Sequence, residues 1–465
     1  MKTLMFSAIA AFASVGAFAD ATIDRVLVRQ QWPWNEKVAI DFVLTNVTAA
    51  TQIGCTVYRG ETPVADSTGA SAAAFSGDIY NLTADGAYRI TFDPSCLANR
   101  PAKGETLRFA LTPSAGESTY GEVLYKIFDL ENGTVTDVTR GALLNGEYGS
   151  VETDYSRIGE GYSTPLSDVL VWTGVTNYPG AKTTKLVMRK VPAGAAKWGI
   201  YNNWIQSQVV ISVTKPFYIG VFELTQKQYE YFRDKTGTDT YNPGEISCNL
   251  GDDKPVQNIA VLKEIFNDNR NRWDSETGAL KKLKDLFANN GQGTYCFDLP
   301  TQAMWLRAMR AGITENTYDP YYYDGISSGN TPDDPGIYTY NDRMAVLGRF
   351  AGNGGIVDNG DGTATTNGVA VVGSYRPNAF GLYDMIGNVA EANKDDYTSW
   401  GANQTDPCGT LTGNGFGTLG GHWSTSAKLP YQDNRSYNLH SSFKQPFIGV
   451  RLAFFEDENP YNPAE

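Results

Sequence analysis

The chain has 465 residues, 41% of them hydrophobic and 19% charged, and a formal net charge of −13. That length allows two or three packed domains, and the acidic balance excludes a nucleic-acid binder, whose partner's backbone demands a basic footprint. The 48 glycines and 21 prolines suit a loop-rich, β-containing protein rather than a helical bundle.

Lys2, the largely apolar run Leu4 to Phe18 and the small-x-small site Ala17-Phe18-Ala19 predict a secretory leader over residues 1–19. The mature chain would start at Asp20, and losing Lys2 moves the charge from −13 to −14. The run is short for a membrane span, and no other segment approaches 18 continuous apolar residues. The expectation is an exported protein, periplasmic or extracellular, that does not span a membrane. Export permits disulfides. Of the five cysteines, Cys55 and Cys96 share the N-terminal segment and are the candidate pair; Cys248, Cys296 and Cys408 leave at least one thiol over. The two histidines, His422 and His440, leave little material for a His-rich iron, copper or zinc site.

Residues 20–115 carry the period of two that marks half-buried strands: Val38, Ile40, Phe42, Leu44; then Tyr88, Ile90, Phe92; then Leu107, Phe109, Leu111. An immunoglobulin-like β-sandwich is predicted there. Trp32-Pro-Trp34 near its start is either a packed corner or a binding edge. Residues 116–180 read as a connecting segment, with one strand between Tyr120 and Leu130. Thr225-Gln-Lys-Gln228 is a capping box that starts a helix running to about Asp234, and Thr301 caps a second helix carrying Trp305, Ala308 and Met309 on one face. Ile448 to Phe454 reads as a closing strand, followed by a tail over residues 457–465.

Three segments carry the most information: Phe217-Tyr-Ile-Gly-Val-Phe-Glu-Leu-Thr225, Leu299-Pro-Thr-Gln-Ala-Met-Trp305 and Pro377-Asn-Ala-Phe-Gly-Leu-Tyr-Asp-Met-Ile-Gly-Asn-Val-Ala-Glu391. In that order they resemble the formylglycine-generating enzyme family, also called sulfatase-modifying factors, over residues 181–456. The resemblance implies an α+β, lectin-like fold behind the sandwich. It also implies a calcium site in which Asp384 and Glu391 give side-chain oxygens and Gly387 and Val389 give carbonyls, a donor set that suits a hard cation. A tight turn with capping carboxylates is the alternative. The stretch Asn353 to Thr363 is rich in oxygen donors, but its spacing does not match the family's second calcium site.

The resemblance breaks at the reacting centre. Active members carry two cysteines, with four residues between them, after a Gly-Gly-Ser-Trp-like motif, and these bind copper and activate oxygen. Here Gly420-Gly-His-Trp-Ser-Thr425 runs to Pro430 without a cysteine, so Thr425 and Pro430 stand in their places and neither can ligate Cu(I). Copper is therefore not expected, and the family's Trp-Glu-Trp has become Ala390-Glu391-Ala392. The Gln302-Ala-Met-Trp305 sequence replaces a surface carboxylate of the family with Met304.

What remains is a groove rimmed by His422, Trp423, Ser424 and Thr425 and by the loop Tyr431 to His440 with Arg435. Mixed aromatic and amide side chains there suit a protein, peptide or glycan partner; an ordinary polar surface is the plain alternative. The same lectin-like fold serves as a display scaffold in variable proteins of diversity-generating retroelements. The expectation is a non-catalytic, exported binding or structural protein with a calcium-pinned domain. The alternatives are an oxidoreductase acting on protein cysteine through atypical ligands, and a glycan-binding protein.

Overall fold

The computed structural model describes residues 6–10, 21–30, 37–48, 50–67, 74–79, 82–94, 105–115, 122–151, 170–198, 209–233, 249–266, 278–292, 295–312, 345–358, 364–396, 402–409, 415–425, 435–438 and 444–455. It divides into two units, residues 1–124 with 138–153, and residues 125–137 with 154–465.

The first unit follows from the period-two pattern. Its strands are β1 (Phe6–Ala10), β2 (Thr22–Gln30), β3 (Val38–Thr45), β4 (Thr51–Arg59), β5 (Thr62–Asp66), β6 (Phe75–Gly77), β7 (Gly86–Phe92) and β8 (Leu107–Ala115). They form two four-stranded sheets in the orders β2-β3-β7-β6 and β1-β8-β4-β5. Ile40, Phe42 and Leu44 of β3, Ile53 and Val57 of β4, Ile90 and Phe92 of β7, and Phe109 and Leu111 of β8 fill one buried core. Removing such side chains from water supplies roughly 1.5–3 kcal/mol each. Tyr88 only flanks that core, and its ring stacks on Phe42. On the outer face of β3, Asp41 pairs with Arg29 and Arg89 across the strands.

β1 falls inside the expected leader and runs parallel to β8. Cys55 is a free thiol in the sandwich core; its candidate partner Cys96 lies outside the described residues, as do Trp32 and Trp34.

The second unit begins inside the segment expected to be a connector. There β9 (Val123–Asp129) and β10 (Thr134–Thr139) form a hairpin, and a short helix, α1 (Arg140–Leu144), follows in the first unit. The hairpin feeds a six-stranded sheet, β10-β9-β11-β14-β23-β15, with β11 (Lys185–Val191), β14 (Phe217–Gly220), β15 (Cys296–Asp298) and β23 (Ala453–Phe455). Leu124 to Phe128 of β9 are all buried, Lys126 among them with its amine on Asp137 at 2.7 Å, because both faces of the strand are covered.

Smaller sheets complete the described part of the unit. β12 (Gly194–Trp198), β13 (Val209–Val213) and β19 (Gln404–Thr405) form one; β16 (Ile356–Asp358) and β17 (Ala364–Thr366) form a hairpin. The last sheet is β21-β20-β18-β22, from β18 (Ala390–Ala392), β20 (Gly415–Leu419), β21 (Arg435–Asn438) and β22 (Ile448–Gly449). Arg435 thus lies on a strand, not in a loop. The expected closing strand is split: β22 joins one sheet and β23 another, with Arg451 between them.

Among the described residues, three α-helices belong to this unit. α2 (Gln226–Glu230) has the full capping box: the Gln228 N–H donates to Thr225 Oγ1, and the Thr225 N–H donates to Gln228 Oε1. α3 (Gly278–Asn289) was not foreseen, although Ala279, Leu280, Leu283 and Phe287 recur at helical spacing and are all buried. α4 (Gln302–Arg310) is capped by Thr301, whose Oγ1 accepts from the Met304 N–H at 3.3 Å. All nine of its residues are buried, so Met304 is a core side chain and not the surface position expected. Arg307 is buried as well and donates to the carbonyls of Pro192, Ala193 and Ala195. Burial pulls its pKa down to about 10. Gly194 is required there: a Cβ would stand 2.5 Å from the Arg307 guanidinium.

Candidate functional site

The segment Tyr383 to Ala392 is the knot of the second unit, and its backbone explains its residue types. Asp384, Gly387 and Asn388 all have positive φ, at 55°, 81° and 58°. Glycine, Asn and Asp tolerate that region best. Asn388 is held on both sides: its Oδ1 accepts from the Ala370 N–H at 2.8 Å, and its Nδ2 donates to Glu223 Oε2 at 2.6 Å. The other Glu223 oxygen accepts from the Val389 N–H at 3.1 Å.

Glu391, on β18, meets Arg451. Its Oε1 accepts from Arg451 Nη2 at 2.6 Å, both of its oxygens lie 2.9 Å from Arg451 Nε, and its Oε2 accepts from Trp305 Nε1 at 2.6 Å. The rest of the guanidinium donates to the carbonyls of Gly220, Val221 and Tyr383. Arg451 and Glu391 are both essentially sealed from solvent. Asp384 is sealed too; its Oδ2 accepts from the Gly373 N–H at 2.6 Å, while its Oδ1 has no partner.

Three carboxylates, Glu223, Asp384 and Glu391, therefore share one buried neighbourhood with one guanidinium. Burial, then the charges of Asp384 and Glu391, push Glu223 well above the usual carboxylate range. Burial raises Asp384 to about 6, against the opposing pull of the Gly373 N–H, Arg451 and Lys182. Arg451 is raised because Glu391, Glu223 and Asp384 together outweigh its own burial.

Calcium requires six to eight oxygens, with carboxylates among them. Of the expected side-chain donors, Glu391 has both oxygens committed to Arg451 and Trp305, which leaves Asp384 Oδ1 as the one carboxylate oxygen without a partner beside the carbonyls of Gly387 and Val389. Among the described residues no group of three or more His, Cys, Asp and Glu is arranged to hold a metal. The residues as placed do not fit a calcium cage; the cation at this corner is the Arg451 guanidinium. In the upstream stretch Asn353 organises a turn, accepting from the Phe350 N–H and donating to the carbonyls of Ala345 and Gly348. Residues 359–363 lie outside the described residues.

The turn Gly420 to Thr425 lies directly against this knot. The Gly387 N–H donates to Gly420 O, and the Trp423 N–H donates to Asn388 O. Thr425 closes the turn on itself: its Oγ1 donates to His422 O at 2.7 Å and accepts from the His422 N–H at 3.1 Å. The Ser424 N–H donates to His422 Nδ1 at 3.3 Å, and the imidazole stacks on Phe447 with centroids 4.1 Å apart. Trp423 is 4% exposed and packs with Val369 and Val389, its Nε1 donating to Pro446 O. Of the expected groove residues, His422 and Trp423 are thus buried, Ser424 and Thr425 are half-buried, and the Arg435 side chain lies outside the description, as do residues 426–434 with Pro430.

Two residues that govern the site, Glu223 and Arg451, were not singled out from the sequence. The available signal was a lone charge inside an apolar run: Glu223 in Phe217 to Leu224, Arg451 in Ile448 to Phe455. Such a charge is tolerated only when paired.

Residues 178–454, more than half of the chain, match the family described as "Sulfatase-modifying factor enzyme 1-like domain". No curated protein matches the chain. Solved structures similar to it include Treponema denticola variable protein 1, at 19% identity and TM-score 0.38, covering 58% of this chain and 95% of that one. PvdO from Pseudomonas aeruginosa shows 19% identity and TM-score 0.36, covering 58% and 94%. CarF shows 18% identity and TM-score 0.33, covering 58% and 99%.

Proposed function

We propose that this chain, which belongs to the sulfatase-modifying factor family, is an exported, non-catalytic member that works by binding a partner or by shaping an assembly. The observation that carries this reading is the turn Gly420 to Thr425. Active members hold a thiolate there. Here Thr425 occupies the position, and its hydroxyl is spent on His422 O and the His422 N–H. A hydroxyl is neither a soft ligand for Cu(I) nor a redox partner for a substrate thiol. The described cysteines of the second unit, Cys296 on β15 and Cys408, belong to other segments.

Export rests on the leader-like residues 1–19, and the partner is a protein, peptide or glycan met outside the cytoplasm. No helix among the described residues is long and apolar enough to cross a membrane. Copper affinity tests the non-catalytic reading. The purified chain, titrated with Cu(I) against a chromophoric chelator, should leave the metal with the chelator, and so should its Cys408→Ser variant. Tight, stoichiometric copper uptake by the parent that persists in a variant lacking Cys296 and Cys408 would contradict it.

A further inference from the structure

The turn Gly420 to Thr425 holds one arrangement that the missing cysteines do not account for. Ser424 Oγ lies 3.0 Å from His422 Nδ1, and the Ser424 N–H donates to the same nitrogen at 3.3 Å. A backbone N–H can only donate, so Nδ1 presents its lone pair and the imidazole proton sits on Nε2. The hydroxyl is therefore the donor in the 3.0 Å bond. A hydroxyl whose proton points at an unprotonated imidazole nitrogen is the pairing of a nucleophile with its general base.

The base is also held in place. Its ring stacks on Phe447 with 14° between the planes. Thr425 clamps the His422 backbone at both ends, accepting from its N–H and donating to its carbonyl. His422 is 8% exposed, whereas Ser424 is half-buried, so the nucleophile is the more open of the two. Among the described residues the Ser424 hydroxyl has no other partner to restrain it.

We propose that Ser424 is a nucleophile that accepts an acyl group from an activated carboxylic ester, with His422 as its general base. Ser424 Oγ bonds to the ester carbonyl carbon while its proton passes to His422 Nδ1. The bond from that carbon to the leaving oxygen then breaks, and the oxygen departs as an alcohol carrying the proton. The products are an O-acyl serine and an alcohol, with no change in oxidation state. In hydrolytic serine sites the nucleophile's own N–H faces the developing oxyanion. Here that N–H is engaged by Nδ1. Release of the acyl group is correspondingly slow, and the outcome is a lasting mark on the turn rather than rapid turnover. This acylation goes beyond the binding role proposed above and does not depend on it.

The test uses the full chain and p-nitrophenyl acetate, with acetylation located by peptide mapping and mass spectrometry. Acetyl is expected on Ser424 ahead of every other serine, and this preference should vanish when the chain is unfolded in urea. Ser424→Ala should lose the label. His422→Phe keeps a ring to stack on Phe447 and removes the base, so labelling of Ser424 should slow about a hundredfold or more. Should His422→Phe fail to fold, Ser424→Cys serves instead: its new thiol should react with iodoacetamide faster than Cys296 and Cys408 of the same chain. Acetylation of Ser424 no faster than in urea, or unaffected by His422→Phe, would overturn the proposal, as would a thiol at 424 no more reactive than the other two.

Discussion

Arg451 and Glu391 lie sixty residues apart in the chain and meet as a sealed, bidentate pair, with Nη2 2.6 Å from Oε1. Each also reaches past the other. Glu391 accepts from the Trp305 indole of α4, and Arg451 ties down the carbonyls of Gly220, Val221 and Tyr383. One ion pair thus joins the segments that the family signature supplies.

Removing one partner of such a pair leaves the other buried and uncompensated. Arg451→Met is expected to cost about 3–5 kcal/mol, read as a lower denaturant midpoint at constant slope. Glu391→Gln in the same background should recover part of that loss, because the stranded charge is gone. A fully additive double variant would show that the two residues do not act as a pair.

The neighbouring carboxylates give a pH dependence of definite sign. Asp384 is ordinary when unfolded, at 3.8, and rises to about 6 when folded. Between those values the native state holds the extra proton, so stability is fully present below about 4 and falls as pH rises towards 6 and beyond. Glu223, raised well above its ordinary value, extends the decline to higher pH. Asp384→Asn keeps a residue that accepts φ of +55° and removes a buried charge. It should flatten the slope and stabilise the protein at neutral pH by up to about 3 kcal/mol. Unfolding midpoints from pH 4 to 8 for both proteins check this; parallel curves would refute it.

Calcium should matter little. The carboxylate a cation would need is held by Arg451, and ligand-linked stabilisation requires a site in the folded state. Thermal midpoints with millimolar calcium and with a chelator are expected to coincide. A shift of several degrees that saturates with calcium would show that Glu391 is released to the ion.

Trp423 and Ser424 are adjacent and should behave oppositely. Trp423 packs on Val369 and Val389, so Trp423→Ala should cost about 3–5 kcal/mol. Ser424 is half-buried and its Oγ shares a 3.0 Å hydrogen bond with His422 Nδ1, so Ser424→Ala should cost only about 0.5–1.5 kcal/mol. If Trp423 were a rim residue instead, its replacement would leave the unfolding midpoint unchanged.

Much of this fold was legible where one local rule sufficed. The period of two at Val38 to Leu44 and Leu107 to Leu111 gave β3 and β8, and Thr225 and Thr301 announced the starts of α2 and α4. The candidate site was legible as a segment, Asp384 to Glu391, but not as a set of contacts. That Glu391 faces Arg451 and that Asn388 faces Glu223 depends on pairings across 60 and 165 residues, which no local spacing encodes. Trp423 reads as a rim residue because it lies in the Gly420 to Thr425 turn that corresponds to the family's reacting centre. Only the packing of Val369 and Val389 shows it to be core.

The proposed non-catalytic role meets its most direct test in a single assay. The purified chain, supplied with Cu(I), oxygen and a peptide containing Cys-x-Pro-x-Arg, is followed by mass spectrometry beside an active family member. An unchanged cysteine peptide, against complete conversion by the active enzyme, is the predicted result. Formylglycine appearing at a comparable rate would contradict it and would require ligands other than the missing thiols.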